Sequence, residues 1–345
     1  MTTRRQILKS AAALGAFAAT GITPYSARAQ TKRVIKVNIV ANTLGIHVPY
    51  MGALNEILPT MNYGTPNVER VSKLETITQS ILSGSAEIGS GDAISTLRAV
   101  EAGADLKIIG NCFMNTSLVF AANAETIKTD KDLEKSNATV AVNSEGDFTH
   151  VMLIKPLRSR GIDVKKVNVI TMGGSGTRLR ALVAGKIDAA PIHFDQAEEI
   201  VSSGKYRVLI EPWVEFPNFL GEVWMVSGAW LAKPENQRAA VDLLKSVILS
   251  FRKAHADEAW FAAAYRKYGT DSSMAKAQDG SIDAIRLKLA KTVKAWPSDM
   301  NHKADVYSEM MPLYREAGAL SGNVDISKVV DTRFVEQALK ELGPA

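Results

Sequence analysis

VNVITMGGSGTRLRALVAGKIDAAPIHF, residues 167–194, is the stretch that decides the fold. Val167-Asn168-Val169-Ile170 alternates as a strand does, and Gly173-Gly174-Ser175-Gly176 follows as a turn that leaves backbone N–H groups accessible. Leu179, Leu182 and Val183 then fall at i, i+3 and i+4, one apolar face of a short helix, and Gly185 caps its end. Ile187-Asp188-Ala189-Ala190 starts a second strand. Strand, glycine turn, helix and strand make a βαβ unit, whose helix N-terminus offers free N–H groups and a partial positive charge to an anion.

The pattern returns 101 residues earlier. Leu74, Ile77 and Ile81 share a helix face, Gly84 ends that helix, and Ala86-Glu87-Ile88 resumes as strand. Gly185 pairs with Gly84, Asp188 with Glu87, Gly204 with Gly103 and Gly146 with Gly45 at the same offset. The glycines alone prove little; with the matching helix faces and strands they predict two similar α/β lobes and a cleft between them.

Thr3-Arg4-Arg5-Gln6-Ile7-Leu8-Lys9 is a twin-arginine run, followed by an alanine-rich apolar segment from Ala11 to Ala19 and a small-residue cleavage site, Ala27-Arg28-Ala29. The segment is shorter than the ~20 residues a membrane span needs. The expectation is an exported, periplasmic protein that uses the twin-arginine translocon and begins at Gln30. Arg4, Arg5, Lys9 and Arg28 are four of the 41 Lys and Arg residues, so 37 basic residues face 36 acidic ones once residues 1–29 are removed. The net charge of +5 is thus a property of the leader, and no basic stripe argues for nucleic acid. The sole cysteine, Cys112, lies in an apolar run and reads as a buried filler.

Val34 to Val40 reads as the first strand, with Asn42 to His47 leading into a helix through Tyr50 and Leu54. Gly89-Ser90-Gly91-Asp92 reads as a second strand-to-helix turn. Leu118-Val119-Phe120-Ala121 reads as a strand leaving the first lobe, with hinges near Ala121 to Ala124 and Phe216 to Gly221. The expected division is residues 1–29 as the export signal, 30–121 as the first lobe, 122–218 as the second, and 219–345 completing the first lobe with C-terminal helices. Pro234 opens one of these, with a buried stripe of Val241, Leu244, Ile248 and Phe251; breaks are expected near Gly269, Gly280, Pro297 and Gly322.

At this point the chain resembles a known family, the periplasmic substrate-binding proteins of ABC importers in the nitrate, sulfonate, taurine and thiamine-pyrimidine group. The resemblance is carried by Ile81-Leu82-Ser83-Gly84 to Gly89, Leu97 to Ile109, Asp132-Leu133, Val140 to His150 and Gly161 to Pro191. It implies a type II periplasmic-binding-protein fold: two α/β lobes, each a mixed sheet flanked by helices, joined by two crossovers and closing on a ligand. It implies a monomeric solute-binding protein that hands a small anionic organic solute, sulfonate-, carboxylate- or pyrimidine-like, to the membrane permease of an ABC importer. A single cysteine lacks the cysteine-rich signature of the enzymatic branch that makes thiamine pyrimidine. The alternatives are a secreted or cofactor-bound enzyme on the same scaffold and the binding subunit of a sensor.

An enzyme needs a nucleophile with a base, a metal cluster or paired carboxylates, and the five histidines make no HExxH or His-x-His pattern. His47, His150 and His193 each follow an expected strand, so convergence on one metal is a weaker alternative to polar lining or packing, while His255 and His302 read as surface residues. The expected site has no catalytic residue, metal or cofactor. Its candidate ligand contacts are Leu44, His47, Tyr50, Ser90, Gly91, Asp92, Asn115, Asp147, Phe148, Thr149, Gly174, Ser175, His193, Phe194, Trp213 and Trp224. Asp92, Asp147 and Asp195 have a competing explanation as helix caps, and the aromatic residues as core. Arg178 and Arg180 lie just inside a helix start, where a solvated arginine is the ordinary expectation and a bidentate grip on an acid the alternative.

Overall fold

The computed structural model describes residues 31–216, 218–300 and 302–343; the expected export signal and its cleavage site lie outside the described residues, as does Pro217. Among the described residues, ten strands form two sheets. β1 (Lys36–Val40), β2 (Asn67–Val71), β3 (Ile88–Asp92), β4 (Leu106–Asn111) and β10 (Glu222–Ser227) make the first, in the order β2-β1-β3-β10-β4. β5 (Leu118–Asn123), β6 (Thr139–Val142), β7 (Asn168–Thr171), β8 (Ala189–His193) and β9 (Tyr206–Ile210) make the second, in the order β7-β6-β8-β5-β9.

The two orders are the same order. β6, β7, β8 and β9 take the places of β1, β2, β3 and β4, and in each sheet one antiparallel strand, β5 or β10, is inserted before the last. The fold therefore repeats as the 101-residue echo predicts. Glu87 accepts the N–H of Lys36 at 2.9 Å and Asp188 that of Thr139 at 2.9 Å, so the two acids pin the first residues of the corresponding strands β1 and β6. Gly84 and Gly185 both take positive φ just past a helix end, at +74° and +65°, a conformation that favours glycine. The Gly45–Gly146 pairing fails: Gly146 has φ +74°, whereas Gly45 opens the 3₁₀ turn Gly45–His47 without positive φ, and a Cβ there would lie 2.8 Å from Ile285 Cγ2.

Strand membership corrects one boundary. β5, read from sequence as the last strand of the first lobe, pairs with β8 and β9 in the second sheet, so the chain crosses between sheets at residues 112–117. It crosses back at residues 211–221 before β10. The crossovers bond to each other: Asn115 Nδ2 donates to Phe216 O at 2.8 Å and Phe219 N–H to Met114 O at 3.0 Å.

Helices cover the sheets, among them α1 (Val48–Gly52), α2 (Leu74–Ser83), α3 (Ala93–Glu101), α4 (Phe148–Ser159), α5 (Ser175–Val183) and α6 (Phe194–Val201). Leu74, Ile77 and Ile81 bury one face of α2. On α5 the buried stripe is Ser175, Arg178 and Leu182, while Val183 is 51% exposed, so the helix is rotated from the apolar face read in the sequence. The helix Pro234–Ala256 begins with its proline and buries Val241, Leu244, Ile248 and Phe251. Gly280 does not break a helix; it sits in the first turn of Asp279–Leu287. His302, expected at the surface, is buried with Nδ1 3.0 Å from Tyr307 Oη, and burial pushes its pKa down to about 4. Among the described residues no helix is long and apolar enough to cross a membrane.

A cleft between two lobes is the candidate functional site

The carboxyl ends of the parallel strands in both sheets open on a cleft of about 510 Å³, its mouth included. Asn42 and Asn143, which follow β1 and β6 and stand 101 residues apart, both line it. Asn42 Nδ2 donates to Ser175 Oγ in the second lobe at 3.2 Å. Asn143 Nδ2 donates to Ser72 O in the first, also at 3.2 Å. These crossed bonds follow the internal repeat, because Ser72 precedes α2 as Gly173 precedes α5. A third bridge runs from Gly45 N–H to Asp195 Oδ2 at 3.1 Å. The lobes are closed on one another.

One end of the cleft is built from the N-terminus of α5. Gly173 has φ +70°, and its N–H donates to Asn143 O at 3.1 Å. Gly174 is the N-cap, its carbonyl accepting from Thr177 and Arg178 N–H. The N–H groups of Gly174, Ser175 and Gly176 have no hydrogen-bond partner among the described residues. Free N–H groups at a helix start attract negative charge.

Arg178 reinforces that end. Its side chain is 2% exposed and lines the cleft. Nε donates to Pro191 O at 2.8 Å and Nη1 to Gly173 O, while Nη2 has no partner among the described residues. Burial lowers its pKa to about 10, opposed by the nearby Asp147, so the guanidinium keeps its charge at neutral pH. The solvated arginine expected from sequence is Arg180, which is exposed and bonds Thr177.

Two histidines meet across the cleft, with ring centroids 5.3 Å apart. His47 Nδ1 accepts Leu44 N–H at 3.0 Å, which leaves Nε2 to carry the proton of the neutral ring. His193 Nδ1 lies 2.5 Å from Ser117 Oγ; burial, then His47 and Arg178, hold its pKa well below 6.5. His150 does not join them, because its Nδ1 accepts Gly146 N–H at 3.0 Å outside the cleft. Among the described residues no group of three His, Cys, Asp or Glu side chains is placed to hold a metal ion.

Of the candidates read from sequence, His47, Asn115, Phe148, Thr149, Gly174, Ser175 and His193 line the cleft. The others do not. Ser90, Gly91 and Asp92 belong to the wholly buried strand β3 and not to a turn. A Cβ on Gly89 would sit 2.6 Å from Ile77 Cγ2, and one on Gly91 2.7 Å from Met225 Cε, so these glycines let α2 and β10 approach the strand. Asp92 and Asp147 cap α3 and α4, each accepting two backbone N–H bonds from the first helical turn. Leu44 is buried and bonded to His47. Tyr50 stacks on Phe113 at 5.7 Å and meets Trp224 edge-on, both behind the cleft surface. Phe194 and Trp213 pack edge-on at 6.2 Å with Lys288 Nζ 4.4 Å over the Phe194 ring, outside the cleft. Asn42, Phe113, Thr116, Asn143 and Glu222 also line the cleft without having been chosen from sequence, and Arg178, for which a grip on an acid was the less expected of two readings, joins them. For Asn42 and Asn143 the signal was there, in their 101-residue spacing.

The capping acids make a pH prediction. Asp92 is pushed up to about 7 by burial and then by the charge of Asp147, itself raised to about 6 by burial. Between its ordinary value of 3.8 and about 7, Asp92 is protonated in the native state and ionised in the unfolded chain. Rising pH across that window therefore favours unfolding, and the cost is complete above about 7. Asp92→Asn keeps an acceptor for the cap and is expected to gain stability relative to wild type as pH rises through the window. Urea unfolding of both proteins at each end of the window measures this; a difference that does not change with pH contradicts it.

A family profile described as NMT1/THI5 like matches residues 68–257. A search of curated protein sequences finds no match. Among solved structures, the chain is similar to the periplasmic nitrate-binding protein NrtA from Synechocystis PCC 6803, with 12% identity and a TM-score of 0.71 over 90% of this chain and 89% of that one. It is similar to the ligand binding component of an ABC-type import system from Staphylococcus aureus, with 14% identity and a TM-score of 0.69 over 89% and 99% of the two chains. The alkanesulfonate-binding protein SsuA from Xanthomonas axonopodis pv. citri, bound to MOPS, gives 14% identity and 0.67 over 86% and 98%. The fold of two mixed sheets flanked by helices is the periplasmic binding-protein fold expected from the sequence. With the profile spanning more than half of its length, the chain belongs to the NMT1/THI5-like family.

Proposed function

We propose that this protein is an extracytoplasmic solute-binding protein that captures a small organic anion in the cleft and delivers it, as a monomer, to the permease of an ABC importer. One observation carries the reading: Gly174 and Ser175 at the start of α5, whose N–H groups have no partner among the described residues, and the buried Arg178 line one end of a cleft between closed lobes. Such a cluster stabilises an acidic group by fixed dipoles and a charge-assisted bond with little water to screen it. Phe113, Phe148, Ile46 and Leu118 supply apolar walls for the rest of the solute. His47 and His193 have their Nδ1 atoms engaged by Leu44 N–H and Ser117 Oγ, an arrangement suited to lining. The nitrate-binding, alkanesulfonate-binding and import-system proteins with this fold support the transport role.

Ligand should bind the closed form better than the open one and raise the melting temperature. Thermal unfolding against nitrate, alkanesulfonates, aromatic carboxylates and acidic pyrimidines tests this; a melting temperature unmoved by every anion tried contradicts it. The twin-arginine run at Arg4-Arg5, the short apolar segment and Arg28 beside the cleavage site support export by the twin-arginine route. Arg4→Lys with Arg5→Lys is expected to abolish periplasmic accumulation, and an unchanged periplasmic yield would assign export to another route.

A further inference from the structure

Glu222 lines the same cleft, and nothing at the anion-binding end explains it. It is the first residue of β10, directly after the second crossover, and is 6% exposed. Oε2 accepts one hydrogen bond, from Ser90 Oγ at 3.2 Å, and Ser90 Oγ is shared with Cys112 Sγ at 3.2 Å. Oε1 lies 3.7 Å from His47 Nε2, beyond hydrogen-bond reach. Among the described residues no lysine or arginine makes an ion pair with it. An ionised carboxylate has about four acceptor positions, and leaving most of them unfilled in a buried place is costly. The arginine of the cleft does not fill them: Arg178 is in the other lobe, bonded to Pro191 and Gly173 and balanced by Asp147.

We infer that Glu222 is the second recognition point of the cleft and that the solute is an amino-bearing acid, its N–H or ammonium group on Glu222 and its acidic group at α5 and Arg178. The inference rests on the anion-binding reading and adds the opposite end of the ligand. The surroundings of Glu222 suit such a group. The His47 ring, 3.7 Å from the carboxylate through Nε2, meets Phe113 at 5.4 Å and Tyr50 at 5.5 Å, edge-on in both cases, so the neighbourhood of Glu222 is partly aromatic and limits the water that competes with a cation or an N–H. Tyr50 and Cys112 hold their protons, since burial and the charge of Glu222 push both pKa values well up, and Glu222 is left as the acceptor there.

Matched probes test this: taurine against ethanesulfonate, β-alanine against propionate, and 3-(aminomethyl)benzoate against 3-methylbenzoate, by calorimetry on the full mature chain. Wild type is expected to bind the amino member of at least one pair about tenfold or more tightly than its partner. Glu222→Gln is expected to erase that preference, so that the two members of the pair bind within about threefold of each other. Amine-free probes that bind wild type as well as their amino partners overturn the inference and leave the anion site standing. Failure of every probe to bind overturns both. Should Glu222→Gln unfold, as circular dichroism would reveal, the wild-type preference alone decides.

Discussion

Arg178→Met is expected to weaken anion binding by about a hundredfold or more, which corresponds to roughly 3 kcal/mol. Methionine approximates the length of the arginine stem but removes the only lysine or arginine among the described cleft-lining residues, along with the free Nη2 donor. The stability cost is separate. Pro191 O and Gly173 O would lose buried, charge-assisted donors, a loss of about 2–6 kcal/mol at roughly 1–3 kcal/mol per stranded carbonyl, and Asp147 would lose its countercharge besides. Arg178→Lys should fall between, because a lysine keeps the charge but cannot reach two carbonyls and a ligand with one planar fork. Calorimetry with a bound anion, and circular dichroism for the fold, separate the two effects. A folded Arg178→Met protein that binds like wild type would leave the α5 N–H groups as the sole anion site. Read from sequence alone, the helix end carries the anion and the arginine adds little; burial of the guanidinium reverses that weighting.

Trp296→Ala is expected to cost about 3–5 kcal/mol of stability, the range for truncating a large buried aromatic ring. Trp296 is 1% exposed, its Nε1 donates to Ile46 O at 2.9 Å, and its ring lies 5.6 Å from that of Phe261. The bond ties the C-terminal helical region to the 3₁₀ turn Gly45–His47. Loosening it should disturb His47 and weaken ligand binding as well as lowering the denaturation midpoint. A change below about 1 kcal/mol would show that the surrounding side chains collapse into the space.

What could be read in the chain was what repeats or what is local. The 101-residue echo foretold two similar α/β lobes, and Gly84 with Gly185 and Glu87 with Asp188 do the same work in each. What could not be read depends on partners distant in sequence. β2 (Asn67–Val71) sits at a sheet edge, mostly exposed, and lacks the alternation that marks a half-buried strand. β5 carries no sign of which sheet it joins, because that choice lies in its pairing with β8 and β9. Gly89 and Gly91 imitate a ligand turn, yet their glycines answer to Ile77 and Met225, far along the chain. Arg178 and Glu222 look like surface charges until tertiary structure buries them in the cleft. The charges that recognise a ligand were the least legible part, since burial of a charge is decided by what folds around it.

Native mass spectrometry of the chain purified from the periplasm without refolding tests the central claim most directly. The account predicts one small solute per chain, bearing an acidic group, released on denaturation and missing from Arg178→Met protein prepared in the same way. A copurifying species without an acidic group, or equal occupancy in wild type and Arg178→Met, would contradict it.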